Sequence, residues 1–124
     1  MAVLLVIDDD AGMRKLMVRT LTGKKHRVIE AENGREGLKL VEEHKPDLVI
    51  TDILMPQKEG IETIREVQER APQTRIIAVS GGGMSQNLMF LDVARAFGAD
   101  AVLAKPFRPA QLLEMVEQVL GASR

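Results

Sequence analysis

The sequence predicts an α/β domain in which five β-strands alternate with five α-helices. Five short apolar runs recur along the chain, and the longer segments between them carry apolar residues at helical spacing. Most of these runs are continuously apolar, which is typical of parallel strands covered by helices on both faces. The 124 residues suit one domain of ordinary size. We therefore expect residues 1–124 to form a single doubly wound (βα)5 unit, with no room for an output domain.

The predicted strands are short, and each is apolar at its centre. Turn-forming residues separate them from the helices, with Pro46 and Pro72 marking two returns to the sheet. In chain order the predicted strands are Val3–Ile7, Arg27–Ala31, Asp47–Thr51, Arg75–Val79 and Ala101–Ala104.

The predicted helices are recognised by apolar stripes along one face. Asn33, followed three residues later by Glu36, predicts the start of the second helix, and Gly98 predicts the end of the fourth. From the first helix to the fifth, the stripes are Met13, Leu16, Met17 and Leu21; Gly34, Gly37, Leu38 and Val41; Ile61, Ile64 and Val67 or Gln68; Phe90, Val93, Ala94 and Phe97; and Leu112, Leu113, Val116, Val119 and Leu120.

Composition argues against several classes of function. The 17 basic and 18 acidic residues leave a net charge of −1, so no strong field attracts nucleic acid or anionic membrane. Aromatic residues make up only 2% of the chain, which leaves almost no material for stacking on bases. Cysteine is absent, and the first apolar run stops at Asp8, too soon for a signal peptide. We expect a cytoplasmic protein that contacts neither nucleic acid nor membrane directly.

Polar side chains follow four of the five predicted strands. In chain order they are Asp8, Asp9, Asp10, Asp52, Ser80 and Lys105. In an open parallel α/β sheet the functional crevice lies at the carboxyl ends of the strands, so these side chains should meet there. Crowded carboxylates repel each other, and either a raised pKa or a divalent cation relieves the repulsion. Oxygen ligands favour Mg²⁺, with Mn²⁺ as the alternative. Together with a lysine and a hydroxyl that can bind an anion, the set indicates phosphoryl transfer.

Four segments carry this pattern, namely LLVIDDD, DLVITDILMPQKEG, IIAVSGG and AKPF. In this combination, and over nearly the whole chain, the sequence resembles the receiver domains of two-component response regulators, which are chemotaxis-protein-Y-like. The resemblance implies a flavodoxin-like sheet of strand order 2-1-3-4-5. It also implies a signalling module that assists only its own phosphorylation and dephosphorylation, and that receives the phosphoryl group from a sensor histidine kinase or a phosphotransfer protein.

The resemblance further implies a role for each matched residue. Asp52 corresponds to the phosphoacceptor. Asp9 and Asp52 would hold Mg²⁺ together with the backbone carbonyl of Leu54, and Asp8 would order a metal-bound water. Lys105 would pair with the phosphoryl group.

A conformational switch is also implied. Ser80 corresponds to a hydroxyl that swings towards the phosphoryl oxygen, and the bond from Lys105 to Pro106 corresponds to one that is typically cis. Where this family usually carries an aromatic residue in the fifth strand, the sequence has Val102, so a ring cannot follow the hydroxyl inwards. We expect the loop formed by Gly81, Gly82 and Gly83 to carry more of the switching, because glycine leaves the backbone free to move.

The fourth predicted helix is more apolar than its buried face requires. Four consecutive apolar residues, Leu88, Met89, Phe90 and Leu91, exceed what one face can bury. The excess indicates either a surface for a downstream protein or a second copy, made by the fourth helix, the fifth strand and the fifth helix, or ordinary exposed apolar residues.

Three other interpretations remain open at this point. The start VLLVIDDDAG also fits a haloacid-dehalogenase-type phosphatase, with Asp8 as nucleophile and Asp10 as acid, although the second acidic pair of such enzymes is missing. The glycine loop after Ser80 is a weak candidate for nucleotide binding, because it lacks the GK[ST] ending of a P-loop. A receiver that no longer accepts phosphate is the third interpretation, and the complete set of polar residues argues against it.

Overall fold

The fold was analysed in a computed structural model that describes residues 2–23, 26–53, 59–80, 92 and 94–122. Within these residues five strands and four complete helices alternate along the chain. The strands are β1 (Val3–Ile7), β2 (Arg27–Ala31), β3 (Leu48–Asp52), β4 (Arg75–Ser80) and β5 (Ala101–Ala104). The helices are α1 (Ala11–Thr22), α2 (Gly34–His44), α3 (Glu59–Arg70) and α4 (Pro109–Gly121), so α4 is the fifth predicted helix. Of the fourth predicted helix, residues 92 and 94–97 are described; residues 92 and 94–96 are helical, and Phe97 lies in the turn that follows.

The five strands form one parallel sheet in the order β2-β1-β3-β4-β5. This confirms the predicted fold class and strand order. Two core clusters lie on opposite faces of the sheet, because successive strand side chains point to opposite sides. One cluster contains Leu5 and Ile7 with Ile64 of α3, and the other contains Leu4 and Val6 with Leu112 of α4. Among the described helices, none is long and apolar enough to cross a membrane.

Three strand boundaries and two helix faces differ from the prediction. Strand β3 ends one residue later than predicted, at Asp52, and Phe97, predicted on the apolar face of the fourth helix, is 41% exposed. Strand β3 begins at Leu48 and not at Asp47, because the Asp47 side chain accepts the N–H of Val3 (2.8 Å) where a strand carbonyl would otherwise stand. Strand β4 extends by one residue to Ser80. In α1 the buried line runs through Met17 and Leu21, whereas Leu16, predicted on that face, is 40% exposed.

The predicted helix ends are confirmed where they are described. The side chain of Asn33 accepts the N–H of Glu36 (2.8 Å) and begins α2. Gly98 has a φ of 120°, a conformation that favours glycine, and it ends the helical residues before β5.

Candidate functional site

The carboxyl edge of the sheet brings the predicted polar residues together. The Lys105 ammonium lies 3.0 Å from Asp52 Oδ2 and 3.4 Å from Asp8 Oδ2. The backbone N–H of Lys105 donates to the carbonyl of Ser80 (2.6 Å), which ties the end of β5 to the end of β4. Side chains that are up to 97 residues apart in the sequence therefore share one small site.

Three carboxylates form an acidic cluster beside this lysine. Asp8, Asp9 and Asp52 each offer one oxygen, and these oxygens lie within 4.8 Å of one another. Asp8 is fully buried, Asp52 is 6% exposed, and Asp9 is exposed. Carboxylate oxygens at this spacing suit a hard divalent cation such as Mg²⁺, which keeps several waters and needs few protein ligands. The donor set therefore fits the predicted metal.

The charges of the cluster are only partly balanced. Burial raises the pKa of Asp8, and although the Asp10 N–H and the Lys105 charge oppose this, the charge of Asp52 adds to it. Burial alone would lower the pKa of Lys105, but its hydrogen bond to Asp52 and the charges of both aspartates outweigh burial and raise it. Lys105 therefore remains an ammonium, while the charged form of Asp8 is disfavoured until a further cation arrives.

The backbone around Asp8 is held by its neighbours on both sides. Its N–H donates to the carbonyl of Ala31 at the end of β2 (3.1 Å), and Asp8 Oδ1 accepts the N–H of Asp10 (2.9 Å). The Asp10 carboxylate accepts the N–H groups of Gly12 (2.9 Å) and Met13 (3.2 Å) and so begins α1. Asp10 thus serves as a helix cap, which does not suit the acid that the phosphatase interpretation requires.

Gly60 allows α3 to pack directly on the end of β3. A Cβ atom at this position would lie 2.4 Å from the carbonyl oxygen of Asp52 and 2.4 Å from Cα of Ile53. Any side chain would therefore displace the backbone that carries Asp52. The sequence motif after Asp52 contained this glycine, but its packing role could be recognised only once α3 was placed.

Arg14 also contacts the site, and the sequence analysis missed it. Its Nη1 donates to the backbone carbonyl of Asp8 (2.7 Å), and its Nε donates to Glu30 Oε1 (2.9 Å). Nothing in the sequence distinguishes Arg14 from the other basic residues of the same helix, such as Lys15 and Arg19. Only the placement of β2 beside β1 brings Glu30 within reach.

Of the predicted switch residues, Ser80 is fully buried and Val102 is half-buried against the core cluster that contains Leu5. The peptide bond from Lys105 to Pro106 is cis. The remaining predicted residues lie outside the described part of the chain: Leu54, Gly81, Gly82, Gly83, Leu88, Met89, Phe90 and Leu91.

Comparison with known proteins agrees with this geometry. A family model for the response regulator receiver domain matches residues 4–117. The chemotaxis proteins CheY of Thermotoga maritima and Bacillus subtilis are each 37% identical, and the matches cover 93% and 95% of this chain and 94% and 97% of those proteins. The crystal structure of a CheY-like receiver domain protein from Methanospirillum hungatei matches with a TM-score of 0.87 and 28% identity, over 97% of this chain and 94% of that one.

Proposed function

The chain belongs to the response regulator receiver domain family of two-component signalling, and we propose that Asp52 is the residue that accepts the phosphoryl group. The observation that carries this proposal is the contact of 3.0 Å between Asp52 Oδ2 and Lys105 Nζ beside the acidic cluster. The phosphatase alternative, with Asp8 as nucleophile, is not supported by the family match.

Exposure favours Asp52 over Asp8, and the contact with Lys105 favours it over Asp9. Asp8 is completely buried, so a phosphoryl donor has no access to its oxygens. Asp9 is exposed, but it follows the end of β1 in the loop before α1, whereas Asp52 ends the central strand β3. Asp52 is therefore less buried than Asp8 and also lies beside the Lys105 ammonium, the positive charge that an incoming anionic group needs.

The transfer itself needs little more than alignment and charge. An oxygen of the Asp52 carboxylate attacks the phosphorus of a phosphohistidine, a P–O bond forms, and the P–N bond breaks with departure of the imidazole. The Lys105 ammonium stands beside the acceptor oxygen and offsets negative charge on the transferred group. The product is a mixed anhydride, which water can later cleave, so the domain acts on its own phosphoryl group and turns over no other substrate.

The acidic cluster would hold Mg²⁺ during this transfer. Asp8, Asp9 and Asp52 supply the oxygens, and by resemblance the carbonyl of Leu54 joins them. When bound, the cation neutralises charge on the phosphoryl oxygens. Asp52 is the last residue of β3, and Asp8 and Asp9 are the first two residues after β1, so two neighbouring strands carry the three carboxylates.

We assign the conformational output to Ser80 and Lys105. Ser80 ends β4, Lys105 directly follows β5, and the 2.6 Å backbone hydrogen bond joins the two residues. A phosphoryl group on Asp52 would draw the Ser80 hydroxyl and the Lys105 ammonium towards it and so favour one of two loop arrangements. Val102 is smaller than an aromatic residue, so the change reaches the surface through the backbone.

The partners follow from the same assignment. A sensor histidine kinase or a phosphotransfer protein donates the phosphoryl group, in the cytoplasm, where ATP is available to the kinase. A downstream protein or a second copy then recognises the face made by the fourth predicted helix, β5 and α4, in the region of Leu88, Met89, Phe90 and Leu91. Residues 1–124 act in this scheme as one receiver domain.

Phosphorylation by a small donor tests the acceptor directly. The chain is incubated with acetyl phosphate and Mg²⁺, and its intact mass is measured. We expect one phosphoryl adduct that survives acid and is lost in base, as an acyl phosphate is. Asp52→Asn should abolish the adduct.

The matched control is Asp47→Asn, which changes an aspartate at the opposite end of the same strand. This variant should be phosphorylated like the wild-type chain. An unmodified wild-type mass would contradict the proposal and favour a receiver that no longer accepts phosphate. Labelling at Asp8 in place of Asp52 would contradict it in favour of the other nucleophile.

A further inference from the structure

We infer that Arg14 is a positioning residue for the metal site, because it fixes the peptide plane between Asp8 and Asp9. This inference rests on the proposed function, since the two aspartates matter to it as ligands of the cation. Arg14 lies in the first turn of α1, with its side chain 13% exposed, and it reaches back to the end of β1. Its hydrogen bond to this segment goes to the backbone carbonyl of Asp8 and not to a carboxylate of the cluster.

The Asp8 carbonyl that accepts from Arg14 belongs to the peptide group that continues into Asp9. A peptide group is planar, so an oxygen held at 2.7 Å by Nη1 also fixes the direction in which the chain leaves towards Asp9. On its other side, Asp8 is held by the hydrogen bond of its N–H to Ala31. The two contacts together fix the backbone on both sides of the Asp8 side chain.

Glu30 fixes the guanidinium in turn. Its Oε1 accepts from Nε of Arg14 at 2.9 Å, and it stands on β2 next to the Ala31 carbonyl. The planar, forked guanidinium can serve both acceptors at once, whereas a lysine ammonium at the end of a flexible chain has no fixed fork. Arg14 thus connects the ends of β1 and β2 and sets Asp9 at ligand distance from Asp8 and Asp52.

A positioning role and a purely electrostatic role of Arg14 predict opposite changes in Mg²⁺ affinity when its positive charge is removed. If Arg14 acted only as a positive charge near the cluster, its loss would strengthen the binding of a cation. If it positions the ligands, its loss must weaken binding. Residues that orient metal ligands from outside the ligand set typically contribute 10- to 100-fold to metal affinity.

The test measures Mg²⁺ affinity by calorimetry for Arg14→Met and Arg14→Lys. We expect both variants to bind Mg²⁺ about tenfold more weakly than the wild-type chain. The matched control is Arg65→Met, which removes an arginine that is 59% exposed and paired with Glu69 on the outside of α3; its Mg²⁺ affinity should be unchanged. Tighter binding in Arg14→Met, or wild-type binding in Arg14→Lys, overturns the inference, because charge alone would then explain the role.

Glu30→Asp keeps the test decisive if the Arg14 variants do not fold, because it keeps the charge and shortens the side chain that contacts Arg14. Without its outer partner the guanidinium is less well fixed, so Mg²⁺ affinity should fall, but by less than in Arg14→Met. Wild-type affinity in Glu30→Asp, with the Arg14 variants unfolded, overturns the inference. A failure of the proposed function can be distinguished from a failure of this inference, because the wild-type chain itself would then neither bind Mg²⁺ nor be phosphorylated.

Discussion

Aspartates stand at both ends of the parallel sheet, and their surroundings differ. At the amino end, Asp47 and Asp100 each precede a strand and exchange two hydrogen bonds with the neighbouring strand. Asp47 donates its N–H to the carbonyl of Val3 and accepts the N–H of Val3, both at 2.8 Å. Asp100 makes the same pair of bonds with Ile76, again at 2.8 Å. Each carboxylate there completes the sheet.

At the carboxyl end the aspartates are crowded together. Asp8 and Asp52 both contact the Lys105 ammonium, and Asp9 brings a third carboxylate within 4.8 Å. The buried carboxylate of Asp8 has a raised pKa, mainly because of its burial. Aspartates at the amino end of the sheet therefore stabilise the fold. At the carboxyl end the crowded aspartates lower its stability, and a bound cation can relieve this.

The largest change in the free energy of unfolding is expected at the amino end of the sheet. Asp100→Ala leaves the N–H of Ile76 without its carboxylate, and this hydrogen bond is partly buried. We expect the free energy of unfolding to fall by about 2 kcal/mol, because a hydrogen bond to a charged group contributes roughly that much. Urea unfolding measures the change, and the loss should be the same in Mg²⁺ and in EDTA.

Asp47→Ala sharpens this comparison, since it removes the equivalent side-chain hydrogen bond, which accepts the N–H of Val3, at an exposed position. Water can replace an exposed acceptor, so the loss should be smaller than for Asp100→Ala. If Mg²⁺ changed the loss in either variant, the amino-end aspartates would be coupled to the site, and the distinction between the two ends would be wrong.

At the carboxyl end of the sheet, a smaller change in the free energy of unfolding is expected, and it has the opposite sign. In EDTA, Asp8→Asn replaces a buried charge with a neutral group of the same shape that can still accept the Asp10 N–H. The variant should therefore be more stable than the wild-type chain by about 1 kcal/mol, within the range common for relieving strain at functional sites. Saturating Mg²⁺ should stabilise the wild-type chain much more than the variant, because a ligand that binds only the folded state stabilises it.

Asp100→Asn serves as the control for Asp8→Asn, because it makes the same chemical change at the other end of the sheet. It should not be stabilising in EDTA, and its response to Mg²⁺ should match the wild-type chain. A destabilised Asp8→Asn in EDTA would mean that the hydrogen bonds of Asp8 outweigh the burial of its charge.

Much of this arrangement could be predicted from the sequence, for a physical reason. A parallel sheet requires buried apolar strands, and its crevice always lies at the carboxyl edge, so the residues that end the strands identify the site. Asp8, Asp52 and Lys105 were predicted in this way, and the fold and strand order were confirmed.

Other features depend on which elements pack together, and the sequence pattern does not determine that. Arg14 matters only because β2 places Glu30 beside it. Gly60 matters only because α3 approaches the Asp52 carbonyl. Leu16 has the residue type of the core, yet α1 turns its neighbour Met17 inwards and leaves Leu16 40% exposed. Such features follow from tertiary contacts, which no local spacing encodes.

The smallest expected effect is the pH dependence of the extra stability that Asp8→Asn has over the wild-type chain in EDTA. Burial is the main reason that the folded pKa of Asp8 lies above its ordinary value of 3.8. As the pH falls through this raised pKa, the folded wild-type chain takes up a proton that the unfolded chain does not, so the unfavourable charge disappears and the wild-type chain gains stability. The advantage of Asp8→Asn should therefore be largest near neutral pH, shrink as the pH falls, and vanish below 3.8, where Asp8 is protonated in both states. Urea unfolding of both chains between about pH 7 and pH 4 measures it, and the difference between them cancels the titration of groups that do not interact with Asp8. An advantage that stays constant or grows on acidification would show that the charge of Asp8 is not what lowers stability at the carboxyl end.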